Sequence, residues 1–236
     1  MDDGTLLRDQ TGLIEHFVIS AIYDNIETKN EGRKMKKEEK KDILSKHRIE
    51  ALFDGVFAIA MTILVLNISV PPDLKISNPD ALLNALQKMT PTFFNYVISF
   101  IILASFWVNN NHQFRYIKQT DKTHLWLYLW NLMFIVLIPF STSLMSDYSG
   151  LIFAELFFHL NLLIIGIISI ITWHYIVKNH HLLQQDKYDI LVIRKGRNKS
   201  LVFIIVPLIA ICVTFWIPEW STLSYVLIPF IASILR

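Results

Sequence analysis

Long apolar windows separated by short polar breaks dominate the chain from residue 48 onward, whereas the residues before it are mostly polar. A bilayer-spanning helix needs about 20 largely apolar residues, and six windows approach or reach that length. They are Ile49 to Ser69, closed by Pro71-Pro72; Thr92 to Asn110; His124 to Leu144, which carries Pro139; Leu151 to Val177; Ser200 to Ile217; and a shorter one, Ser221 to Leu235, after the turn "PEW". The pattern predicts an all-α, polytopic membrane protein with six transmembrane helices over residues 48–236. Residues 1–47 form a separate segment. Within it "LIEHFVISAIYDNI" places Leu13, Phe17, Ala21 and Ile14, Val18, Ile22 at helical spacing, an amphipathic helix. The following "KNEGRKMKKEEKKDILSKHR" is a mixed-charge linker approaching the membrane.

The basic residues test this count independently, because cytoplasmic loops are enriched in Lys and Arg. Ten precede the first span, three (Arg115, Lys118, Lys122) fall between spans two and three, six between four and five, and Arg236 ends the chain. Only Lys75 and Lys88 lie on the other side. Six spans with a cytoplasmic N-terminus and C-terminus fit this distribution; five or seven scramble it. Composition agrees: 53% of residues are hydrophobic and 18% charged, against about a quarter charged in a soluble domain. A formal net charge of +2 singles out no partner. Nucleic acid is a poor one, since the basic run is short, laced with acids and tied to a membrane. The first 26 residues carry Asp2, Asp3, Glu15 and Asp24 and no adequate apolar core, so no secretory signal is expected. The single cysteine, Cys212, forms no intrachain disulfide and reads as a small buried hydrophobe.

Polar groups inside a span are expensive and so default to functional hypotheses. The topology places Arg48 and Asp54 of span one, Asn109, Asn110, Asn111 and His112 of span two, and Asn131 of span three at the inner side. Trp107, Trp126, Trp130 and Trp173 cluster toward it. An inner-layer network of Arg48, Asp54, Trp107, Asn110, His112 and Asn131 follows. Arg48 and Asp54 are six residues apart and point about 120° away from each other, so each reaches another helix, Asp54 toward Asn110 or His112. Helix-fixing hydrogen bonds explain such a layer at least as well as a direct functional role. Further along span one, Ile59, Ile63 and Leu66 form one apolar stripe, and Ala51, Gly55, Ala58 and Thr62 a neighbouring small one. Periodicity alone favours ordinary lipid or core contact for the first. Glu155, His159 and Asn161 stand in the outer half of span four, where structural hydrogen bonding outweighs metal ligation. No P-loop, nucleophile elbow, zinc-protease motif or dinucleotide fingerprint occurs. The sequence predicts no enzyme, no cofactor and no bound metal.

"RIEALFDGVFAIAMTILVL" resembles the first-helix signature of the transmembrane protein 175 potassium-channel family: an arginine, three spacers, then Phe-Ser-Asp and an apolar run. "ISFIILASFWVNNNHQF" is similar to that family's second helix and "LWLYLWNLMFIVLIPFSTSLM" to its third, in order over residues 48 to about 145. Two positions depart. Phe-Ser-Asp reads Leu52-Phe53-Asp54, and the family's histidine three residues after the tryptophan is Asn110, with His112 two places on. The resemblance implies a homotetramer of six-helix subunits in a prokaryotic cell membrane, with first helices lining a central pore. It implies potassium ions as the permeant species, passive leak-like conduction, and selectivity from a hydrophobic constriction rather than a filter loop. Carried over, that constriction falls on Ile59, Ile63 and Leu66, with Thr62 supplying a hydroxyl. Physically, a ring of isoleucines makes a dewetted constriction. Two other readings stay open: a proton-coupled transporter using Asp54, His112, Glu155 and His159, and a non-transporting membrane scaffold whose N-terminal helix docks a partner.

Overall fold

The computed structural model describes residues 46–68, 79–184 and 189–234. The expected amphipathic N-terminal helix and charged linker lie outside them. The first helix, α1 (Lys46–Leu66), buries Ile49, Phe53, Phe57, Ala60 and Leu64, spaced three and four residues apart on one face. That face packs on α3 (Thr90–Phe114) and α4 (Lys122–Asp147). At the far end of α1, the Asn67 amide donates to the Pro139 carbonyl at 2.8 Å. Between α1 and α3 lies α2 (Pro79–Lys88), ten residues long with only Ala85 buried. The expected spans did not include it: it is too short to cross a bilayer, and its apolar residues Leu82, Leu83 and Leu86 all face outward.

The remaining helices begin where the sequence supplies caps and breakers. Pro91 stands in the first turn of α3, where its missing N–H is no loss. Asp121 caps α4, its Oδ1 accepting from the His124 amide at 2.8 Å. Gly150, with φ of +83°, turns the chain into α5 (Ile152–Lys178) in a conformation other residues adopt only with strain. Asp189 caps α6 (Ile190–Thr214), accepting from the Leu191 amide at 3.0 Å. This helix begins ten residues before the expected window, because Arg194, Lys195, Arg197 and Lys199 extend it as a polar turn beyond its apolar part.

Among the described residues, five helices have the length and apolarity to cross a membrane: α1, α3, α4, α5 and α6 from Ile193. The expected sixth span is not one continuous helix. Pro218–Val226 forms a 3-10 segment, followed by the short α7 (Leu227–Ile234). Pro218 opens that segment, whose Ser221, Thr222 and Tyr225 are buried: Thr222 meets Met145 Sδ of α4 at 3.6 Å, and Ser221 and Tyr225 turn their hydroxyls toward α5.

Those hydroxyls meet α5. His159 is fully buried; its Nδ1 lies 2.8 Å from the Tyr225 hydroxyl and its Nε2 2.9 Å from Ser221 Oγ. Ser221 donates to the Pro218 carbonyl at 2.7 Å, closer than Glu155 Oε2 at 3.4 Å. With that proton committed, His159 donates from Nε2 and accepts from Tyr225 at Nδ1, the neutral tautomer. The expected hydrogen-bonding role of Glu155 and His159 describes this cluster. Asn161 stands apart from it and donates to the Phe134 carbonyl at 3.2 Å. His159→Leu strands the buried Tyr225 hydroxyl, at about 1–3 kcal/mol for a group left unsatisfied, and removes the donor to Ser221, which keeps its bond to Pro218. A clear fall in the melting temperature of the detergent-solubilised protein is expected; an unchanged one would show that the cluster does not hold the 3-10 segment.

The tightest packing joins α5 and α6. A β-carbon on Gly166 would stand 2.0 Å from the Phe203 carbonyl oxygen, and one on Gly196 would stand 2.2 Å from the Trp173 ring. Small residues let membrane helices approach this closely. Cys212, expected to be buried, is exposed on α6. On the membrane-facing side of a span a small apolar group gains nothing from burial, because the surroundings are already apolar.

Candidate functional site: the outward face of α1 and its anchoring layer

The face of α1 opposite its buried stripe is open. Ile59 is 60%, Ile63 39% and Leu66 75% exposed, and Ala51, Gly55, Ala58 and Thr62 are exposed beside them. A β-carbon on Gly55 would meet nothing within 4 Å. Thr62 donates its hydroxyl proton to the Ile59 carbonyl at 2.8 Å, so its oxygen faces outward as an acceptor. Both stripes picked out in the sequence therefore lie on one surface that no other helix among the described residues covers.

Arg48 and Asp54 are also on the exposed side of α1. Asp54 reaches α3, yet its partner is neither Asn110 nor His112. Trp107 Nε1 donates to Asp54 Oδ1 at 2.8 Å. The expected inner layer divides by helical phase. Trp107 turns toward α1, while Asn109 and Gln113 turn toward α5 and α6. Asn109 Nδ2 donates to Ser169 Oγ, and Gln113 Nε2 to both Ser169 Oγ and Ser200 Oγ, each at 3.3 Å. Asn110 is buried. His112 packs against the Tyr116 ring with centroids 5.2 Å apart, and its buried Nδ1 has no hydrogen-bond partner among the described residues. Asn131 joins α4 to α5 by donating to the Ile165 carbonyl at 3.3 Å. Of the aromatic cluster, Trp173 is buried and donates to the Ile193 carbonyl at 3.2 Å, whereas Trp126 and Trp130 are exposed.

Phe53, the residue standing where the family carries serine, has a plain explanation. It is 2% exposed and lies in an aromatic nest, 4.9 Å from Phe57, 5.4 Å from Tyr128 and 6.0 Å from Phe114, ring centroid to ring centroid. Such pairs add about 0.5–1.5 kcal/mol beyond area burial. Ring packing at this position holds α1 to α3 and α4.

At the same end of the bundle, Asp121 gathers three elements. Besides capping α4 it accepts from the Tyr175 hydroxyl at 2.8 Å, and His181 Nε2 lies 3.5 Å away. Partial burial pushes its carboxyl up, but the His124 amide and the Tyr175 hydroxyl more than offset this and hold it below the ordinary 3.8. A depressed folded-state value means that the stabilisation is complete above the unfolded value and disappears as pH falls through the folded one. Wild-type protein is therefore expected to lose melting temperature more steeply below about pH 4 than Asp121→Asn, which keeps a cap but not the charge. Parallel curves would exclude the role.

Asp54 and His112 do not share a site with Glu155. Tyr116, which packs on His112, also lies against Trp173 near the end of α5 (centroids 6.1 Å apart). Glu155 is in that helix's first turn, about 27 Å away along the axis. Among the described residues no three His, Cys, Asp or Glu side chains are grouped to hold a metal ion.

Comparison with known proteins bears on the α1–α4 portion above all. Residues 48–139 match the family described as "Endosomal/lysosomal potassium channel TMEM175". A potassium channel of Streptomyces collinus is 39% identical over 101 residues, 43% of this chain and 48% of that protein. One of Chamaesiphon minutus is 40% identical over 104 residues, 43% of this chain and 49% of that protein. The chain thus spans about half the length of the curated relatives it matches. The crystal structure of a lysosomal potassium-selective channel TMEM175 homolog from Chamaesiphon minutus superimposes with a TM-score of 0.69. It is 26% identical, and the match covers 81% of this chain and 98% of that one. With five membrane-length helices among the described residues and channel relatives from bacteria, the chain is a multi-pass membrane protein, and its residues 48–139 are similar to the TMEM175 potassium-channel family.

Proposed function

We propose that this protein is a potassium-preferring cation channel, conducting passively through a homotetrameric pore lined by α1. One observation carries the reading: α1 presents Ile59, Ile63 and Leu66 outward on the side opposite the stripe that fixes it to the bundle. A helix facing only lipid has no use for Asp54, Arg48 and an open Gly55 on its exposed side. A helix facing three copies of itself does, since small residues allow close approach and stacked isoleucine rings make a dewetted constriction. Ile59, Ile63 and Leu66 form that constriction, with the Thr62 oxygen beside it. Arg48, Asp54, Trp107, Asn110, His112 and Asn131 brace the inner end, with Asp54, Trp107 and Asn131 doing so through helix-to-helix bonds. The proteins it resembles are named potassium channels, and ion channels are not enzymes.

Six crossings with both termini cytoplasmic remain part of this reading. The 3-10 segment and α7 together have nine and eight residues. At about 2.0 and 1.5 Å rise per residue they reach roughly 30 Å, the thickness of the hydrocarbon core. A sixth crossing returns the C-terminus to the side of the basic loops, as their distribution requires.

Reversal potentials of the purified protein in planar bilayers under opposed potassium and sodium gradients test the function. A reversal potential displaced toward that of potassium, with discrete single-channel steps, is expected. Saturable stepless flux abolished by Asp54→Asn would indicate a coupled transporter instead, and a monomeric mass in detergent would count against a shared pore.

A further inference from the structure

Beside α3, on the side turned toward α6 and α7, a cavity of ≈ 890 Å³ opens at the surface. Its lining is graded. At one end stand Arg115 from just beyond α3 and Lys195 and Lys199 from the first turns of α6; further in come Ala104 and Val108 of α3 and Phe203 of α6. Lys195, Lys199 and Phe203 are spaced by four residues and share one face of α6. From Ala104 to Arg115 is about 16 Å along the axis, close to the hydrocarbon depth of one leaflet. Two separate helices thus present the same order, cation at the membrane boundary and apolar surface behind it. His112 lines the cationic end and brings a buried Nδ1 with no hydrogen-bond partner among the described residues.

From this grading we infer that the cavity is a binding site for an anionic phospholipid. The headgroup phosphate sits among Arg115, Lys195 and Lys199, and an acyl chain lies along Ala104, Val108 and Phe203. Basic pockets between membrane helices recognise anionic headgroups in this way. A small soluble anion would need only the cations, and a zwitterionic lipid would gain little from three of them. Trp107, which holds Asp54 of α1, stands on the rim of the same cavity, so the lipid abuts the tether of α1. The inference rests on the membrane-spanning arrangement alone and stands whether or not α1 lines a pore.

The test uses the full chain, delipidated in neutral detergent and titrated with dioleoylphosphatidylglycerol, dioleoylphosphatidylcholine or inorganic phosphate. Bound lipid is counted by native mass spectrometry and melting temperature is followed in parallel. Phosphatidylglycerol is expected to bind and raise the melting temperature, with phosphatidylcholine well behind. At about a fivefold gain per cation, Lys195→Gln/Lys199→Gln weakens phosphatidylglycerol binding roughly thirtyfold. Ala104→Phe, which keeps every cation and fills the apolar half, weakens it as well and decides the matter if the double variant does not fold. Wild-type affinity in either folded variant overturns the assignment, as does equal binding of the two lipids. Inorganic phosphate reproducing the full shift would make this a small-anion site, and failure of any lipid to bind would mean that another copy of the chain covers the face; each also overturns it.

Discussion

Ile59→Asn is expected to raise single-channel conductance about tenfold, the consequence of removing roughly 1.4 kcal/mol from the barrier to permeation, and to erode the preference for potassium. Ile59 is 60% exposed on the outward stripe of α1. In the proposed tetramer four such side chains face one another, and an apolar ring of that kind expels water. An ion crossing it must shed part of its hydration, and potassium holds water less tightly than sodium, so the barrier itself discriminates. Four amides would rewet the ring and lower the barrier, most of all for sodium. The measurement is conductance and reversal potential in planar bilayers, with Val136→Ala as a control. Val136 is 54% exposed on α4, a helix that the proposal leaves outside the pore. Unchanged currents in Ile59→Asn would remove Ile59 from the conduction path.

Gly166→Leu is expected to be the most damaging single change to the fold. The β-carbon alone would come within 2.0 Å of the Phe203 carbonyl oxygen and 2.7 Å of its carbon. Those are backbone atoms, so no rotamer change relieves the clash, and α5 and α6 must separate along the most extensive helix contact in the bundle. Overpacking of this kind costs about 3 kcal/mol or more, much of the margin of an ordinary domain. Loss of the folded peak in size-exclusion chromatography of detergent extracts is the expected result. Gly55→Ala is the comparison: nothing stands within 4 Å of its β-carbon, and alanine favours the helix by up to about 1 kcal/mol. Equal stability of the two variants would contradict the close α5–α6 approach.

Much of this architecture is legible in the sequence because bilayer thickness dictates window length. The five long helices follow from that constraint alone. The break inside the sixth window does not show, because Pro218 and the hydroxyls there serve a 3-10 segment bound to His159, and partners on another helix leave no mark in hydropathy. α2 escapes because ten amphipathic residues fall below the length a span search can see. At the candidate site, depth was legible but phase was not. The sequence pairs Asp54 with α3 but points to Asn110 or His112 as its partner, whereas Trp107 reads only as one of the tryptophans clustered at the inner side. Gln113 escapes because the apolar window closes at Asn110, whereas the helix continues to Phe114. Phe53 looked anomalous against a family signature, although its spacing from Ile49 and Phe57 already put it on the buried face.

Gly166 against Phe203 and Gly196 beneath Trp173 leave α5 and α6 no side chains on which to slide, so the pair behaves as one rigid body. α1 is attached differently, through a nest of rings and the Trp107–Asp54 bond. Were α1 to tilt in the proposed pore, the ring nest at Phe53 would serve as the hinge and the Asn67–Pro139 bond at its far end would be the contact that must yield. Ile59 lies six residues beyond that hinge, roughly 9 Å along the helix, so a tilt of about 10° displaces it by about 1.5 Å. Repeated around the fourfold axis of the proposed tetramer, that lever would turn a small rotation into a change of bore comparable to the radius of an ion.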